Sequence, residues 1–136
     1  MAYAIEKVDV WMGFVDDVPD AGEQVLAVLA KAGVNLEFMF SRPWKDGKVV
    51  LFLAPLKGAK ALKAAQSVGI QLWSKAIRVK GPDKRGVAVK IAAALGKAGI
   101  NISGFTAMKI GAQCMCYVAV DKENVAKALT LLKKAF

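Results

Sequence analysis

A nine-residue segment that occurs twice constrains the fold of this chain more than any other feature. Residues 29–37 read LAKAGVNLE, and residues 95–103 read LGKAGINIS. The five positions Leu, Lys, Ala, Gly and Asn are identical in the two copies, and two of the differences exchange Val or Leu for Ile. Because self-similarity at a fixed spacing marks a repeated structural unit, the sequence predicts two copies of one small module.

The residues around each copy extend this match to a whole unit. In the first copy, β-rich segments at 8–15, 34–40 and 49–54 alternate with an apolar-periodic helix that ends at Gly33 and a second helix at 57–69. In the second copy, strands at 76–80, 100–110 and 114–120 alternate with a helix that ends at Gly99 and a helix at 121–136. Each copy therefore reads β-α-β-β-α, and both glycines stand where a left-handed residue would end a helix.

This order predicts an α+β protein of two ferredoxin-like βαββαβ modules, residues 1–74 and 75–136, each with an antiparallel sheet and its helices on one face. Residues 70–73 give the first module its last strand, whereas the second module has no obvious counterpart because the chain ends in the helix. Since an open sheet edge is a liability, two hypotheses follow. Either the N-terminal extension Met1–Ile5 supplies the missing strand, or another chain pairs there.

The assembled pattern resembles the ACT domain, a small regulatory module, and looks most like the free-standing proteins with two such modules. The usual ACT signature is D-x-P-G, an apolar helix, and L-x-x-A-G-I-N-I. The second copy reads Asp83-Lys-Arg-Gly86, and LGKAGINI follows at 95–102; the first reads Asp17-Val-Pro-Asp20, and LAKAGVNL follows at 29–36. The second copy thus lacks the proline of the loop, and the first copy lacks its glycine.

The resemblance implies a regulatory protein that binds a small molecule, an amino acid by the family's habit, between the loop of one module and the start of the second strand of its neighbour. It also implies a homodimer and no catalytic residues. The ligand-binding residues that it implies are Asp83, Lys84, Arg85, Gly86, Val87, Ile100 and Asn101 in the second copy and Asp17, Val34 and Asn35 in the first.

Elementary chemistry favours the second copy as the site. A loop that leads into a helix N-terminus offers free backbone N–H groups to a carboxylate, and glycine lets a ligand approach without meeting a Cβ. Lys84 and Arg85 add positive charge beside Gly86, whereas Asp20 places a negative charge at the matching position of the first copy. Asp20, with Glu23 three residues later, instead predicts a helix N-cap with a capping-box spacing. All these positions can equally be read as turn and cap residues without a ligand.

The composition argues against an enzyme, a metal site or a cofactor. The chain has no histidine, no nucleotide-binding glycine motif and only two cysteines, Cys114 and Cys116, which we interpret as buried structural thiols. The longest uncharged apolar run, residues 49–56, is far shorter than the ~20 residues that span a membrane. Glu6 and Asp9 stand where a signal peptide would be apolar, which favours a cytoplasmic protein.

The net charge of +9 leaves a further question open. A basic protein can bind nucleic acid, but the lysines are scattered along the sequence and no RNA-binding aromatic motif accompanies them, which argues against that partner. Three functions therefore remain: an amino-acid-binding regulatory module, an oligomerisation scaffold without a ligand, and, with the weakest support, a nucleic-acid-binding protein.

Overall fold

The computed structural model describes residues 3–136, which form two compact units. The first unit is Asp9–Trp73, and the second combines Ser74–Phe136 with the N-terminal residues up to Val8. The elements in chain order are β1 (Ala4–Asp16), α1 (Ala21–Lys31), β2 (Phe38–Pro43), β3 (Lys48–Ala54), α2 (Ala59–Ser67), β4 (Gln71–Pro82), α3 (Val87–Gly96), β5 (Ile102–Ile110), β6 (Gln113–Val120), a 3₁₀ turn (Lys122–Asn124) and α4 (Val125–Ala135).

The first unit has the predicted ferredoxin-like topology. Its strands lie in the order β2-β3-β1-β4, with β3 antiparallel to both β1 and β2 and with Gln71–Trp73 as the last strand. One face of this sheet is covered by α1 and α2, and the core between them contains Val25, Leu29, Leu51, Leu53, Leu56, Ala65 and Ile70. This unit confirms the βαββαβ prediction.

The second unit repeats that topology with β4, β5 and β6 in place of β1, β2 and β3. β6 is antiparallel to both β4 and β5, and α3 and α4 pack beside each other. Its core contains Ile77, Val79, Val87, Ile91, Leu95, Val118, Val125 and Leu132, among others. The α+β fold with two ferredoxin-like modules is therefore the fold that the repeat predicts.

The N-terminal segment completes the second unit. The first residues of β1 lie beside β4, in the position that the last strand occupies in the first unit. Ile5 belongs to the core of the second unit, and the Tyr3 hydroxyl donates a hydrogen bond to the Pro82 carbonyl at 2.7 Å. An ion pair of 2.9 Å joins Glu6 to Arg78. Of the two hypotheses for the missing strand, the structure supports the N-terminal extension, as far as its described residues 3–5 are concerned.

Several element boundaries differ from the sequence prediction, most clearly those of β4 and β2. The predicted strands at 70–73 and 76–80 are parts of one strand, β4. The strand predicted at 34–40 begins only at Phe38, because the chain first has to close the end of α1. There the Gly33 N–H donates to the Ala30 carbonyl and the Val34 N–H to the Leu29 carbonyl, both at 3.0 Å, which is the pattern of a Schellman motif.

Candidate functional site

A pocket of about 290 Å³ lies in the second unit, at the end where β4 leads into α3. Its wall combines the loop between these elements, the first turn of α3, the end of β5 and the start of β6. The lining residues are Asp83, Lys84, Gly86, Val87, Ala88, Ala107, Met108, Lys109, Cys114 and Cys116. A volume of this size is at the lower end of the range for small-molecule sites.

The loop owes its shape to one left-handed residue and to backbone hydrogen bonds. Gly86 has φ of 90° and occupies the N-cap position of α3. The Val87 N–H donates to the Lys84 carbonyl, and the Asp83 N–H donates to the Ala112 carbonyl of the β5–β6 turn at 2.9 Å. A Cβ built on Gly86 would meet no atom within 4 Å, so the space in front of this residue is open. The strain of the backbone, and not crowding, is therefore what favours glycine here.

The start of α3 is available to an anion. Within residues 3–136, no side chain caps this helix, and its first turn contains no acidic residue. Gly86, Val87 and Ala88 are among the lining residues of the pocket, and of these the Val87 N–H is already bonded to the Lys84 carbonyl. Helix N-termini carry unsatisfied N–H groups and a partial positive charge, so this wall favours a carboxylate or another small anion.

Charged side chains of both signs lie at the pocket. The Lys109 ammonium and the Asp83 carboxylate form an ion pair of 3.3 Å, and Lys84 is exposed. The net charge of these three side chains is +1, so they favour an anion. The Asp83 carboxylate can still accept a hydrogen bond from a cationic group. The remaining side chains are apolar or thiols, and Val87, Cys114 and Cys116 are buried.

The two cysteines form part of the pocket wall. Cys116 is 2% exposed, and burial, with a smaller contribution from neighbouring Cys114, raises its pKa to about 11. The Cys114 Sγ is 3.7 Å from the Pro82 carbonyl, a weak thiol hydrogen bond. Both thiols are free and buried, which confirms the interpretation of these residues as buried thiols. A neutral thiol is a poor nucleophile and a poor metal ligand.

The structure separates the predicted residues of the second copy into two groups. Asp83, Lys84, Gly86 and Val87 line the pocket, and Arg85 is exposed in the same loop but is not part of the lining. Ile100 and Asn101 follow the opposite end of α3, a helix of ten residues that spans about 15 Å. Ile100 is a core residue at 5% exposure, and its N–H closes the helix on the Leu95 carbonyl. These two positions therefore do not share a site with Gly86 of the same module.

Two of the three predicted site residues of the first copy have structural contacts. The Asp17 N–H donates to the Gly47 carbonyl at 2.9 Å, Val34 packs against the core of its unit, and Asn35 is exposed. Asp20 occupies the N-cap position of α1, but the prediction that its side chain caps the helix was wrong. Its carboxylate instead accepts a hydrogen bond at 3.2 Å from the Nε2 of Gln24, one turn further along α1.

Sequence reasoning did not identify the strand side of the pocket. Ala107, Met108 and Lys109 at the end of β5, and Cys114 and Cys116 in β6, all line it. β5 and β6 are antiparallel neighbours, and β5 ends at the same end of the unit as the loop before α3. Two sequence features could have indicated this side of the pocket: the alternation of side chains along β5, and the position of Lys109 next to the β5–β6 turn.

Neither a metal site nor a membrane-spanning helix is found in the described part of the chain. Between residues 3 and 136, no group of three or more potential metal ligands (Cys, Asp or Glu) is close enough to hold an ion. None of the helices described there is long and apolar enough to cross a membrane.

Comparisons with known proteins agree with the fold. The ACT domain family profile matches residues 75–136, the part of the chain that contains the pocket. A structure of a protein from Bacteroides thetaiotaomicron has a TM-score of 0.82 at 18% identity, over 96% of this chain and 89% of that one. The regulatory subunit of aspartate kinase from Thermus thermophilus, in its ligand-free form, has a TM-score of 0.68 at 16% identity over 100% and 97% of the two chains. A structure of aspartokinase alpha and beta subunits has the same TM-score at 20% identity and the same coverage. No curated protein sequence matches significantly. At these identities the structural similarity establishes the fold.

Proposed function

We propose that this chain is a non-catalytic regulatory protein built of two tandem ACT-type modules, residues 1–74 and 75–136, and that it binds an amino acid in the pocket of the second unit. The observation that carries the proposal is that the uncapped start of α3, with left-handed Gly86, shares one pocket with Asp83, Lys84 and Lys109. The match of the ACT profile to residues 75–136 supports the same choice of unit.

The charges of the pocket are complementary to a free amino acid. Its carboxylate fits the first-turn amides of α3 and the Lys84 ammonium, because both favour a negative charge. Its ammonium fits the Asp83 carboxylate, whose partner in the structure is Lys109. Exposed ion pairs contribute only about 0–1 kcal/mol, and Lys109 is 68% exposed, so exchanging this partner for a ligand costs little.

The rest of the wall limits the side chain of the ligand. Ala107, Met108, Cys114 and Cys116 offer no charged group to a polar side chain, and the pocket volume is about 290 Å³. An aliphatic or thioether side chain gains about 0.8 kcal/mol for each buried CH₂ group. Among these four residues, a charged side chain would find no partner to replace the hydration that it loses. We therefore propose a small apolar amino acid as the ligand.

This proposal includes a homodimer because Gly86 and Asn101 of one module are too far apart to contact the same ligand. Asn101 lies about a helix length from Gly86 of the same module. A ligand that contacts an ACT-type loop and also the Asn side chain at the start of the second strand must therefore lie between two modules. We propose a second copy of the chain as the partner that supplies Asn101.

The test is a thermal-shift screen of the twenty amino acids at millimolar concentration, followed by calorimetric titration of any that act. We expect an apolar amino acid to raise the melting temperature, because a ligand at 100 times its Kd stabilises the folded state by about 2.7 kcal/mol. Gly86→Asp should abolish the shift, since it places a carboxylate at the anion-binding helix start. Asp20→Gly, the reverse exchange in the first copy, is the matched control and should leave the shift unchanged. Failure of all twenty to raise the melting temperature would refute the proposal.

One observation favours an oligomerisation scaffold as a second candidate function. β5 is the end strand in the second unit, and it exposes Phe105 (37%) and Ile110 (61%). Unpaired strands with exposed apolar residues are surfaces at which copies associate. If the chain is a scaffold, sedimentation experiments should show a dimer at every concentration measured, and no amino acid should raise the melting temperature. The regulatory proposal requires that an amino acid does raise it.

A further inference from the structure

The two units divide the charge of the chain unequally. The second unit contains thirteen of the 20 basic residues and four of the 11 acidic ones, whereas the first contains seven of each. The entire net charge of +9 therefore belongs to the second unit, and the first is neutral overall. Lysines that look scattered along the sequence are thus concentrated in one folded unit, a distribution that does not follow from the repeat.

The helix pair of the second unit has a basic outer face. Neither α3 nor α4 contains an acidic residue. The exposed lysines on this pair, including Lys97 at the C-cap of α3, are Lys90, Lys97, Lys127, Lys133 and Lys134. We call these five residues the lysine face. The sides of α3 and α4 that face the core carry Ile91, Leu95, Ala128 and Leu132, so the lysines lie on the sides that face solvent.

The packing of the helices brings the lysines of both onto one surface. The Lys90 ammonium lies 4.6 Å from the ring centre of Phe136, so the start of α3 is next to the end of α4 and the two helices run in opposite directions. Lys90 and Lys97 are seven residues apart, as are Lys127 and Lys134. Because seven residues are close to two helical turns, each pair forms a stripe along its helix about 10 Å in length.

The acidic residues of the second unit do not neutralise this surface. Glu6 pairs with Arg78, and Asp83 pairs with Lys109 at the pocket. Asp121 and Glu123 lie before α4, at the 3₁₀ turn. Among the described residues, no ion pair of 4.0 Å or less is found for Lys97, Lys127, Lys133 or Lys134.

The side chains between the lysines indicate which kind of polyanion fits. Most of the exposed ones are alanines, Ala88, Ala92, Ala93 and Ala126, while Val89 is 70% exposed and the half-buried Phe136 ring lies beneath Lys90. A protein partner usually needs a buried aromatic or large apolar anchor. A membrane-binding helix needs large apolar residues on its membrane side. A regular phosphate backbone needs neither, because lysines bind it through charge and counterion release alone.

We propose that the lysine face binds the phosphate backbone of nucleic acid without sequence specificity. This function is independent of the amino-acid site, since neither Lys84 nor Lys109 of the pocket belongs to the lysine face. It revises the expectation from the sequence, which disfavoured nucleic acid because the lysines appeared dispersed. With about four phosphate contacts, the logarithmic slope of affinity against salt is about −3.6, and raising the salt from about 50 to 200 mM weakens binding by about 100-fold.

The experiment compares two variants of equal net charge in the full-length protein. One replaces Lys90, Lys97, Lys127 and Lys134 by Gln. The other replaces Lys31, Lys57, Lys60 and Lys63 by Gln, which are exposed lysines of the first unit that lie in α1, in α2 or, for Lys57, just before α2. Gln has nearly the helix propensity of Lys, so both variants should fold, and far-UV circular dichroism verifies this. Binding to labelled DNA and RNA duplexes of about 20 base pairs is measured by fluorescence anisotropy over a salt series.

We expect the second-unit variant to bind at least about 30-fold more weakly and with a slope smaller in magnitude by about three, and the first-unit variant to stay within about 3-fold of the unmodified protein. Equal weakening by both variants would overturn the proposal, because it would show an effect of net charge alone. Absence of binding to either duplex at about 50 mM salt would also overturn it. Binding to polyglutamate but to neither duplex would overturn it in favour of an acidic protein partner.

Discussion

The two units share a topology but differ in how the last strand is supplied and in what their loops contain. In the first unit the chain runs directly from α2 into Gln71–Trp73, whereas in the second the N-terminal segment around Ile5 takes that position. The first unit has Asp20 at the start of its first helix, and the second has left-handed Gly86. The two units thus share a topology and a core pattern but differ in strand connectivity, charge and loop chemistry, which is where function is expected to differ.

The largest effect concerns the strand that the N-terminus contributes. Ile5 is 8% exposed in the core of the second unit, and Ile70 is 3% exposed in that of the first. If both last strands have the same role, Ile5→Ala in one strand and Ile70→Ala immediately before the other should each lower the free energy of unfolding by about 2–4 kcal/mol. Urea denaturation followed by circular dichroism measures this.

Lys7→Ala is the matched control for the N-terminal strand, because Lys7 is exposed in the same strand and its removal should change stability by less than about 0.5 kcal/mol. An Ile5→Ala variant as stable as Lys7→Ala would show that the second unit is stable without its N-terminal strand. The likeness between the units would then be limited to three strands.

A smaller effect tests the repeated segment itself. Gly33 and Gly99 have φ of 84° and 72°, and each ends its helix with the same pair of backbone hydrogen bonds. Gly33→Ala and Gly99→Ala should therefore cost the same, about 1–2 kcal/mol, since a Cβ at either glycine would meet no atom within 4 Å and only the left-handed backbone is strained.

Replacement of the same glycines by Asn should cost less, because Asn tolerates the left-handed region better than Ala. Thermal denaturation of the four variants measures both statements. A cost at Gly99 clearly above that at Gly33 would mean that the two helix ends are not equivalent and that the repeat is less regular than the hydrogen bonds indicate.

The sequence predicted those parts of the molecule that depend on local patterns. The period of the helices, the glycines that end them and the alternation of the strands are all local, and the fold followed from them. The sequence left two alternatives for the strand that completes the sheet of the second unit, because pairing between residues so far apart in sequence has no local signal. The loop side of the pocket was predicted from Asp83 and Gly86, whereas Met108 and Lys109 were missed because only the folded hairpin brings them to the loop.

The smallest effect uses a probe that only one unit contains. Both cysteines lie in the second unit, so thiol chemistry reports on that unit alone. Burial raises the pKa of Cys116 to about 11, above the pKa of about 8.5 of a free thiol. At pH 8 only a very small fraction of Cys116 is thiolate, and we expect its alkylation by iodoacetamide to be much slower than that of free cysteine.

The same shift gives the sign of a pH dependence. The folded unit favours the neutral thiol, so the contribution of Cys116 to stability is complete below the unfolded pKa and is lost as the pH rises toward 11. Cys116→Ala should remove this part of the alkaline loss, while Cys114→Ala should keep most of it, because burial of Cys116 is the larger cause of the shift and Cys114 the smaller. Urea denaturation at pH 8 and pH 10.5 measures the difference. If Cys116 were alkylated at pH 8 as fast as free cysteine, the wall of the pocket would have to open readily, and a site of fixed shape in the second unit would no longer be tenable.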